Sequence, residues 1–320
     1  MKIKNILVVM PVKDKHKKQL EAAAEGCEFT YTSYDKVSGN MVEEADIIIG
    51  NVDPFFLQDA KRLKLLQLNS AGTDGYTKKG LLDENTILTN ATGAYGQAVA
   101  EHLFAILFSI QKKLHIYRDN QSKCSWQDEG EIMPLSGGTL LIVGLGDIGM
   151  YFAKLAKAFG YDIIGIKRRV GEIPPEIDEI YDMEMLDEVL PKADVVLSIL
   201  PNTPATRNVF YKERFQKMKK TAILLNGGRG NAVNTEDLCN ALITGEIYAA
   251  GLDVTDPEPL PQEHKLWNIR NAVITPHISG DFHLPATLDR IVDICAENIK
   301  NFIEDEPLKN VVDMQTGYKK

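Results

Sequence analysis

The sequence predicts an α/β protein with two parallel sheets in two domains. Short runs rich in β-branched residues alternate with helix-length polar stretches along most of the 320 residues, which is the pattern of βαβ units. The alternation restarts after an apolar helix near the middle of the chain, so each part has the elements for its own sheet. A chain of this length is also long enough to bury two cores.

The N-terminal part contains three of these runs, ILVVM at 6–10, DIIIG at 46–50 and LLQLN at 65–69. Polar helical stretches separate them, which predicts a small parallel sheet. The C-terminal stretch from 286 to 313 has apolar residues at spacings of three and four, as in an amphipathic helix. It follows the completed second domain, and we expect it to return to the first.

Residues 97–118 predict one helix whose apolar positions extend around much of the helical wheel, so several of its sides must be buried. The helix either packs between the domains or also forms a dimer interface with the arm NQSKCSWQDEG at 120–130. We expect both, and therefore a homodimer.

The second domain is predicted from six further β-rich runs that begin at residue 139. The spacing between them fits helices or loops, which indicates a second and larger α/β domain. The runs are TLLIVG, DIIGI, DVVLSIL, TAILLN, AAGLDV and AVITPH.

Charge and cysteine content favour a small-molecule role. The formal net charge of -9 argues against a nucleic-acid surface, which needs clustered cations. The four cysteines are widely spaced, so neither a metal site nor a disulfide framework is indicated. The apolar run near the N-terminus has only about six residues, too few for a membrane span or a signal peptide. We expect a cytoplasmic protein without a membrane partner.

A glycine fingerprint follows the run at 139. Gly144, Gly146 and Gly149 stand after a strand and open a helix, which is the context a dinucleotide-binding motif requires. The first glycine permits the turn, the second lets the backbone approach a pyrophosphate, and the third lets helix and strand pack closely. The segment predicts a dinucleotide site that also includes Asp147 and Ile148 at the helix N-terminus.

Three consecutive cations end the next strand. In an NAD site an acid stands about 20 residues after the fingerprint and bonds the ribose hydroxyls, but this position holds Lys167, followed by Arg168 and Arg169. Asp162, the nearest acid, is at the opposite end of the strand. Lys and Arg pair with a 2′-phosphate, so the segment predicts NADP(H), with NAD(H) as a possible second cofactor. The alternative is a solvated basic loop.

Three segments with unusual residues follow three successive strands of the second domain: NGGRG at 226–230, DVTDPEP at 253–259 and TPHISG at 275–280. Ligands of open α/β sheets bind at the carboxyl ends of strands. Arg229, Glu258 and His277 are therefore candidates to converge on one pocket. Taken singly, each also fits an ordinary role as a surface arginine, a turn glutamate or a histidine beside proline.

These segments, together with LPNTPATRN, LLQLNSAGTDGY at 65–76 and NATGAYGQAVAEH at 90–102, occur in the order seen in D-isomer-specific 2-hydroxyacid dehydrogenases. The sequence resembles that family over nearly its full length. The resemblance implies two Rossmann-like domains with parallel sheets, the smaller one flavodoxin-like and discontinuous in sequence. The smaller domain would bind the substrate and contain residues 1–98 and 287–320. The larger domain would bind the dinucleotide and contain residues 99–286.

The resemblance also implies roles for single residues. Arg229 would bind the substrate carboxylate and polarise the keto oxygen, His277 would be the acid/base, and Glu258 would orient His277. A guanidinium and an imidazolium beside the keto oxygen stabilise the charge that develops there. The remaining implied contacts are Leu200, Pro201, Thr206, Gly227, Gly228, Asp253 and Gly280 for the cofactor, and Ser70, Ala71 and Gly72 for the substrate. Tyr95 departs from the family pattern, since many relatives have a small or amide side chain there. It is a candidate substrate contact, and packing within the smaller domain is the alternative.

The function expected from this resemblance is NADPH-dependent reduction of a small 2-keto acid, such as glyoxylate, hydroxypyruvate or a longer 2-oxo acid, to the D-hydroxy acid. An NAD-linked enzyme similar to phosphoglycerate dehydrogenase is the alternative within the same chemistry, and Lys167 argues against it. A dinucleotide-sensing binding protein, similar to the C-terminal-binding corepressors, is the alternative from another class. Formate dehydrogenases are similar in fold but have an amide where this sequence has Glu258.

Overall fold

Two separate parallel sheets organise the chain in a computed structural model that describes residues 3–168 and 171–317. The first unit contains the residues up to Tyr95 and those from Leu284 onward, and the second unit contains Gly96–His283. The predicted α/β class with two parallel sheets is confirmed.

The sheet of the first unit has five parallel strands in the order β2-β1-β3-β4-β5, which is the flavodoxin-like order. Apart from Asn5, its central strands β1, β3 and β4 are buried, as their continuous runs of Ile, Leu and Val predict. Strands β2 and β5 were not predicted, because β2 is a half-exposed edge strand and β5 has three residues. The elements are β1 (Asn5–Val9), α1 (Asp14–Ala23), β2 (Glu28–Thr32), α2 (Gly39–Glu44), β3 (Ile47–Gly50), α3 (Pro54–Leu57), β4 (Leu65–Gln67) and β5 (Ile87–Thr89).

The second unit begins with two helices and continues into a seven-stranded parallel sheet. Its elements are α4 (Gly96–Gln111), α5 (Leu114–Ser122), β6 (Thr139–Val143), α6 (Asp147–Ala158), β7 (Asp162–Ile166), β8 (Glu179–Tyr181), α7 (Leu186–Val189), β9 (Val195–Ser198), α8 (Lys212–Lys217), β10 (Ile223–Asn226), α9 (Thr235–Thr244), β11 (Ala249–Leu252) and β12 (Ala272–Ile274). The strand order β12-β11-β10-β9-β6-β7-β8 reverses direction between β6 and β9. Ligands of such sheets bind at that reversal, beyond the carboxyl ends of the strands.

The predicted single helix over residues 97–118 is wrong: two helices, α4 and α5, meet at Lys113. The φ angle of Lys113 is 54°, a left-handed conformation that an α-helix cannot continue through. The Lys113 side chain turns to the backbone oxygen of Glu129, and its amide bonds to the oxygen of Ile110. These contacts stabilise the break, and local apolar patterning does not reveal them.

The C-terminal helix α10 (Pro285–Glu304) belongs to the first unit. His16 Nε2 on α1 lies 2.7 Å from Asp289 Oδ1 on α10. The buried amide of Asn298 donates to Gln67 Oε1 of β4 at 2.6 Å. Helix α10 therefore completes the layer that covers the first sheet. Within the described part of the chain, none of the helices is long and apolar enough to cross a membrane.

Candidate active site

The glycine loop between β6 and α6 is closely packed at two of its glycines and open at the third. Gly144 has φ of 108°, and a Cβ there would lie 2.4 Å from the backbone oxygen of Ile199. A Cβ at Gly149 would lie 2.7 Å from the oxygen of Gly144, so helix and strand pack closely. Among the described residues, and apart from its two chain neighbours, no atom lies within 4 Å of a Cβ at Gly146. The loop is therefore open at Gly146, beside the helix N-terminus where Asp147, Ile148 and Gly149 form the first turn.

The cations predicted to select the cofactor stand directly after β7. Lys167 follows the last strand residue, its amide bonds to Tyr181 of β8 at 2.9 Å, and its side chain is exposed, as is that of Arg168. Arg169 lies outside the described residues. Asp162 begins β7 and is at the opposite end of the strand, as predicted from the sequence.

The segment after β9 is held by its own hydroxyl groups. Thr206 is buried, and its Oγ1 donates to the backbone oxygen of Pro201 at 2.5 Å and accepts from the amide of Thr203 at 2.9 Å. A Cβ at Gly228 would lie 2.5 Å from the backbone nitrogen of Leu200. The segments after β9 and β10 are therefore in backbone contact.

The loop that carries Arg229 is fixed by the buried side chain of Asn226. The Asn226 amide nitrogen donates to the backbone oxygen of Arg229 at 3.1 Å, and its side-chain oxygen accepts from the amide of Gly228 at 3.3 Å. The Arg229 guanidinium donates to the oxygen of Gly228 at 2.8 Å. A Cβ at Gly227 would lie 2.5 Å from Leu103 Cδ1 of α4, so a side chain at this position would displace the buried Leu103 side chain.

The loops after β10 and β11 touch at Gly230. A Cβ at this residue would lie 1.9 Å from the backbone oxygen of Thr255, so only glycine permits the approach. This contact places the Arg229 loop beside the segment that carries Glu258. Two of the three predicted catalytic side chains therefore stand on adjoining loops.

His277 and Glu258 form a close pair. His277 Nδ1 lies 2.6 Å from Glu258 Oε1, and both side chains are about half exposed at 45% and 42%. The φ angle of His277 is 52°, unusual for a residue with a Cβ. Its amide is held by the backbone oxygen of Asp253 at 2.8 Å. A carboxylate at Nδ1 leaves Nε2 as the nitrogen that can exchange a proton with a ligand.

Asp253 is fully buried and holds the loop that presents His277. Its carboxylate accepts from Thr275 Oγ1 at 2.6 Å, the Ile278 amide at 3.1 Å, and both the amide and the hydroxyl of Ser279, at 3.1 and 2.5 Å. Burial alone would raise the pKa of Asp253, but these hydrogen bonds outweigh it and the net pKa is lowered. Gly280 follows Ser279 at the end of this loop.

In the first unit, the loop after β4 has bonded carbonyls and open amides. The oxygen of Asn69 accepts from the Tyr95 hydroxyl. The oxygens of Ser70, Ala71 and Gly72 accept from the Ala91 amide at 2.9 Å, Asn90 Nδ2 at 2.8 Å and Ser70 Oγ at 2.7 Å, respectively. Within the part of the chain that the structure describes, the amides of these three residues have no hydrogen-bond acceptor. Such a cluster of amides can bind an anion.

A protein-family model matches more than half of this chain. The model of the "D-isomer specific 2-hydroxyacid dehydrogenase, NAD binding domain" matches residues 104–279. The chain belongs to the D-isomer specific 2-hydroxyacid dehydrogenase family.

Relatives of this dehydrogenase match both units. A glyoxylate/hydroxypyruvate reductase B of Escherichia fergusonii is 31% identical over 307 residues, which cover 90% of this chain and 93% of that protein. A crystal structure of a family member from Aeromonas salmonicida has a TM-score of 0.86 at 32% identity and covers 98% of this chain and 100% of that one. A family member from Xanthobacter autotrophicus, solved with NADPH and MES, has a TM-score of 0.81 at 25% identity over 99% of this chain and 100% of that one.

The residues of the second unit fit the nicotinamide dinucleotide that this family uses. The glycine loop is open beside the N-terminus of a 12-residue helix, where amides and the helix dipole favour a pyrophosphate. The dehydrogenase uses a nicotinamide dinucleotide, because the family model that matches residues 104–279 is that of an NAD binding domain.

Several residues that shape the site were missed from the sequence. Asn226 and His102 are examples: His102 Nε2 on α4 lies 2.9 Å from Thr275 Oγ1 and 3.7 Å from Asp253 Oδ1. The only sequence signal for Asn226 was its place before the NGGRG glycines, at the end of a buried strand. His102 had no signal, because its partners are 151 and 173 positions away and only the fold brings them near.

Proposed function

We propose that this dehydrogenase reduces a small 2-keto acid, such as glyoxylate or hydroxypyruvate, to the D-2-hydroxy acid and prefers NADPH. The observation that carries the proposal is the 2.6 Å contact between His277 Nδ1 and Glu258 Oε1, on a loop that adjoins the Arg229 loop. The name of the Escherichia fergusonii relative supports this substrate class. The first unit would bind the substrate and the second the dinucleotide.

The proposed mechanism assigns one task to each side chain. The reduced nicotinamide, when bound, supplies a hydride to the keto carbon. Negative charge then develops on the keto oxygen, and the Arg229 guanidinium stabilises it while also binding the substrate carboxylate. His277 donates a proton from Nε2 to that oxygen, since Nδ1 is engaged by Glu258. Glu258 holds the imidazole in orientation through this contact.

The amides of Ser70, Ala71 and Gly72 are proposed to bind the substrate carboxylate as well. The carbonyl oxygens of the same three residues already accept hydrogen bonds from other groups of the chain. A cluster of amides can hold an anion without a side-chain cation. Asp253 and the glycines at 227 and 228 are proposed to act on the cofactor side by shaping the loops around it.

The proposed preference for NADPH rests on Lys167 and Arg168. They are exposed directly after the second strand of the dinucleotide unit, where a carboxylate would repel a 2′-phosphate and a cation pairs with it. The NADPH complex of the Xanthobacter autotrophicus relative supports this cofactor.

The proposal includes a homodimer. Large apolar side chains are exposed on α5, on the arm at 120–130 and two residues beyond it: Leu114 to 55%, Trp126 completely and Ile132 to 51%. Exposed apolar groups on neighbouring segments are typical of a protein interface. Analytical ultracentrifugation tests this part, and a monomer at assay concentration would contradict it.

A substrate panel tests the function. The purified protein is assayed with glyoxylate, hydroxypyruvate, 3-phosphohydroxypyruvate and longer 2-oxo acids, each with NADPH and with NADH. We expect the highest kcat/KM for a small 2-keto acid with NADPH. Turnover of none of these acids would refute the proposal, and selective use of 3-phosphohydroxypyruvate with NADH would favour the phosphoglycerate dehydrogenase-like alternative.

A further inference from the structure

We propose that Tyr95 is a positioning residue that sets the affinity for the substrate carboxylate by orienting the Ser70 amide, with Asn90 doing the same for the Gly72 amide. The inference rests on the proposed function, since it takes the amides of Ser70, Ala71 and Gly72 as the carboxylate site. It reassigns Tyr95, which the sequence predicts to touch the substrate directly.

Peptide planarity links each bonded carbonyl to one open amide. The C=O of one residue and the N–H of the next belong to the same rigid plane and point in opposite directions. The bond from the Tyr95 hydroxyl to the Asn69 oxygen therefore fixes the direction of the Ser70 N–H. In the same way, Asn90 Nδ2 on the Ala71 oxygen, at 2.8 Å, fixes the Gly72 N–H.

The third peptide is held by the backbone alone. The Ala91 amide donates to the Ser70 oxygen at 2.9 Å, which fixes the Ala71 N–H. For each of the three open amides, a separate donor thus bonds the carbonyl oxygen of the same peptide plane. Two of these three donors are side chains. Because these donors are present before any anion arrives, the amide cluster pays less ordering entropy on binding than a free loop would.

The loop is also tied to the end of β3. The backbone N–H of Asn51 donates to the side-chain oxygen Oδ1 of Asn69 at 2.6 Å, and the backbone N–H of Asn69 donates to Oδ1 of Asn51 at 3.2 Å. This reciprocal pair holds the Asn69 backbone, so the Tyr95 hydroxyl acts on a peptide whose position is already restricted. Tyr95 then controls the tilt of the peptide plane and not the place of the loop.

The chemistry of Tyr95 fits this role better than direct binding. A phenol has one proton to donate, and that proton is used by the Asn69 oxygen. A carboxylate has no proton to give to the phenol oxygen and needs donors. Tyr95 therefore acts on the anion through the Ser70 amide.

The test is Tyr95→Phe, which removes the hydroxyl and keeps the ring. Its matched control is Tyr31→Phe, which removes a hydroxyl that donates to Glu21 on the surface of the same unit. A second variant, Asn90→Asp, keeps the oxygen that accepts from the Thr92 amide but removes the donor to Ala71. For all proteins we measure kcat and KM with glyoxylate and NADPH, the inhibition constant of oxamate, and the thermal midpoint.

We expect the glyoxylate KM and the oxamate inhibition constant to rise together by roughly three- to tenfold in Tyr95→Phe, the loss of about one hydrogen bond. Asn90→Asp raises both at least as much, and Tyr31→Phe changes neither. The KM for NADPH stays within about twofold, because that site is on the other unit.

Unchanged glyoxylate and oxamate constants in an active Tyr95→Phe enzyme would overturn the inference and leave the proposed function intact. A rise in the NADPH KM equal to the rise for glyoxylate would also overturn it, since that result indicates general damage. Absence of 2-oxo acid reduction by the wild-type protein would refute the proposed function itself.

Discussion

His277 Nδ1 lies 2.6 Å from Glu258 Oε1 although 19 positions separate the two residues in the chain. The loops that carry them follow neighbouring strands, β12 and β11, whose carboxyl ends meet at one edge of the sheet. The positive φ of His277 is stabilised by the bond from its amide to the Asp253 oxygen. The pair therefore depends on the sheet and on the backbone oxygen of Asp253 beneath the loop.

Replacing Glu258 by Gln tests the role of its charge. The amide keeps the size of the side chain but removes the carboxylate that pairs with His277 Nδ1 and orients the ring, so we expect kcat to fall by roughly 10- to 100-fold. The KM for the 2-keto acid should change far less, because the proposed carboxylate contacts are elsewhere. Steady-state kinetics measures both constants.

Glu236→Gln is the matched control, since Glu236 Oε1 lies 3.4 Å from His264 in a second Glu–His pair of the same unit. It should leave kcat unchanged. A Glu258→Gln enzyme with wild-type kcat would mean that the 2.6 Å contact has no part in proton transfer.

Changing the cations after β7 should change the cofactor. In the double variant Lys167→Asp, Arg168→Ala the added carboxylate can accept from ribose hydroxyls and repels a 2′-phosphate. We expect the ratio of kcat/KM for NADPH to that for NADH to fall by roughly 100-fold or more, equivalent to about 3 kcal/mol for lost charge-assisted hydrogen bonds. For the wild type and the variant, both kcat/KM values are measured with the same 2-keto acid at a saturating concentration.

Lys220→Asp, an exposed cation of the same unit, provides the control for a general change of surface charge. Its NADPH-to-NADH ratio should equal that of the wild type. If the double variant also keeps the wild-type ratio, Lys167 and Arg168 are solvated surface charges.

Asp253 should make the stability of the second unit depend on acid pH. Its pKa is lowered from the usual 3.8 because hydrogen bonds from Ser279 and Thr275 outweigh the effect of burial. A carboxyl whose folded-state pKa is below its unfolded value stabilises the fold above the unfolded value. That stabilisation is lost as the pH falls through the folded-state value.

The variant Asp253→Asn should therefore be less stable than the wild type at pH 7, by about 2 kcal/mol for the weakened hydrogen bonds. The difference should shrink as the pH falls below about 3.8, where the wild-type carboxyl begins to lose its advantage. Denaturant unfolding at several pH values measures the difference. Asp281→Asn, an exposed change near the same loop, is the control, and a pH-independent gap for Asp253→Asn would contradict the assignment.

Much of the fold was predictable because it depends on local patterns. Continuous apolar runs marked β3, β6 and β10, since strands of a parallel sheet are buried on both faces. The glycines at 144 and 149 marked the dinucleotide loop, because a turn with positive φ and a close approach of helix to strand each exclude a Cβ. The edge strand β2 and the helix break at Lys113 were not predicted from the sequence, since neither is marked by a continuous apolar run.

The candidate site was predictable only in part. Arg229, Glu258 and His277 were named as candidates because each follows a strand whose carboxyl end is identifiable, and the structure brings His277 and Glu258 into contact. Two features were not predicted from the sequence: the hydrogen bond from the Asn226 side chain to the Arg229 backbone, and the bond between the His277 amide and the Asp253 backbone oxygen. Tyr95 was expected to contact substrate, and its bond to the Asn69 oxygen appears only in the structure.

The sequence by itself determined the α/β class, the glycine loop and the identity of the residues at the strand ends, because strand burial and backbone approach leave local marks in residue type. Only the tertiary structure decided which groups meet: His277 with Glu258, Asp253 with Thr275 and Ser279, and Tyr95 with Asn69. The physical reason is that hydrogen bonds require placement to within tenths of an ångström. That placement comes from the packing and register of whole sheets, to which every part of the chain contributes.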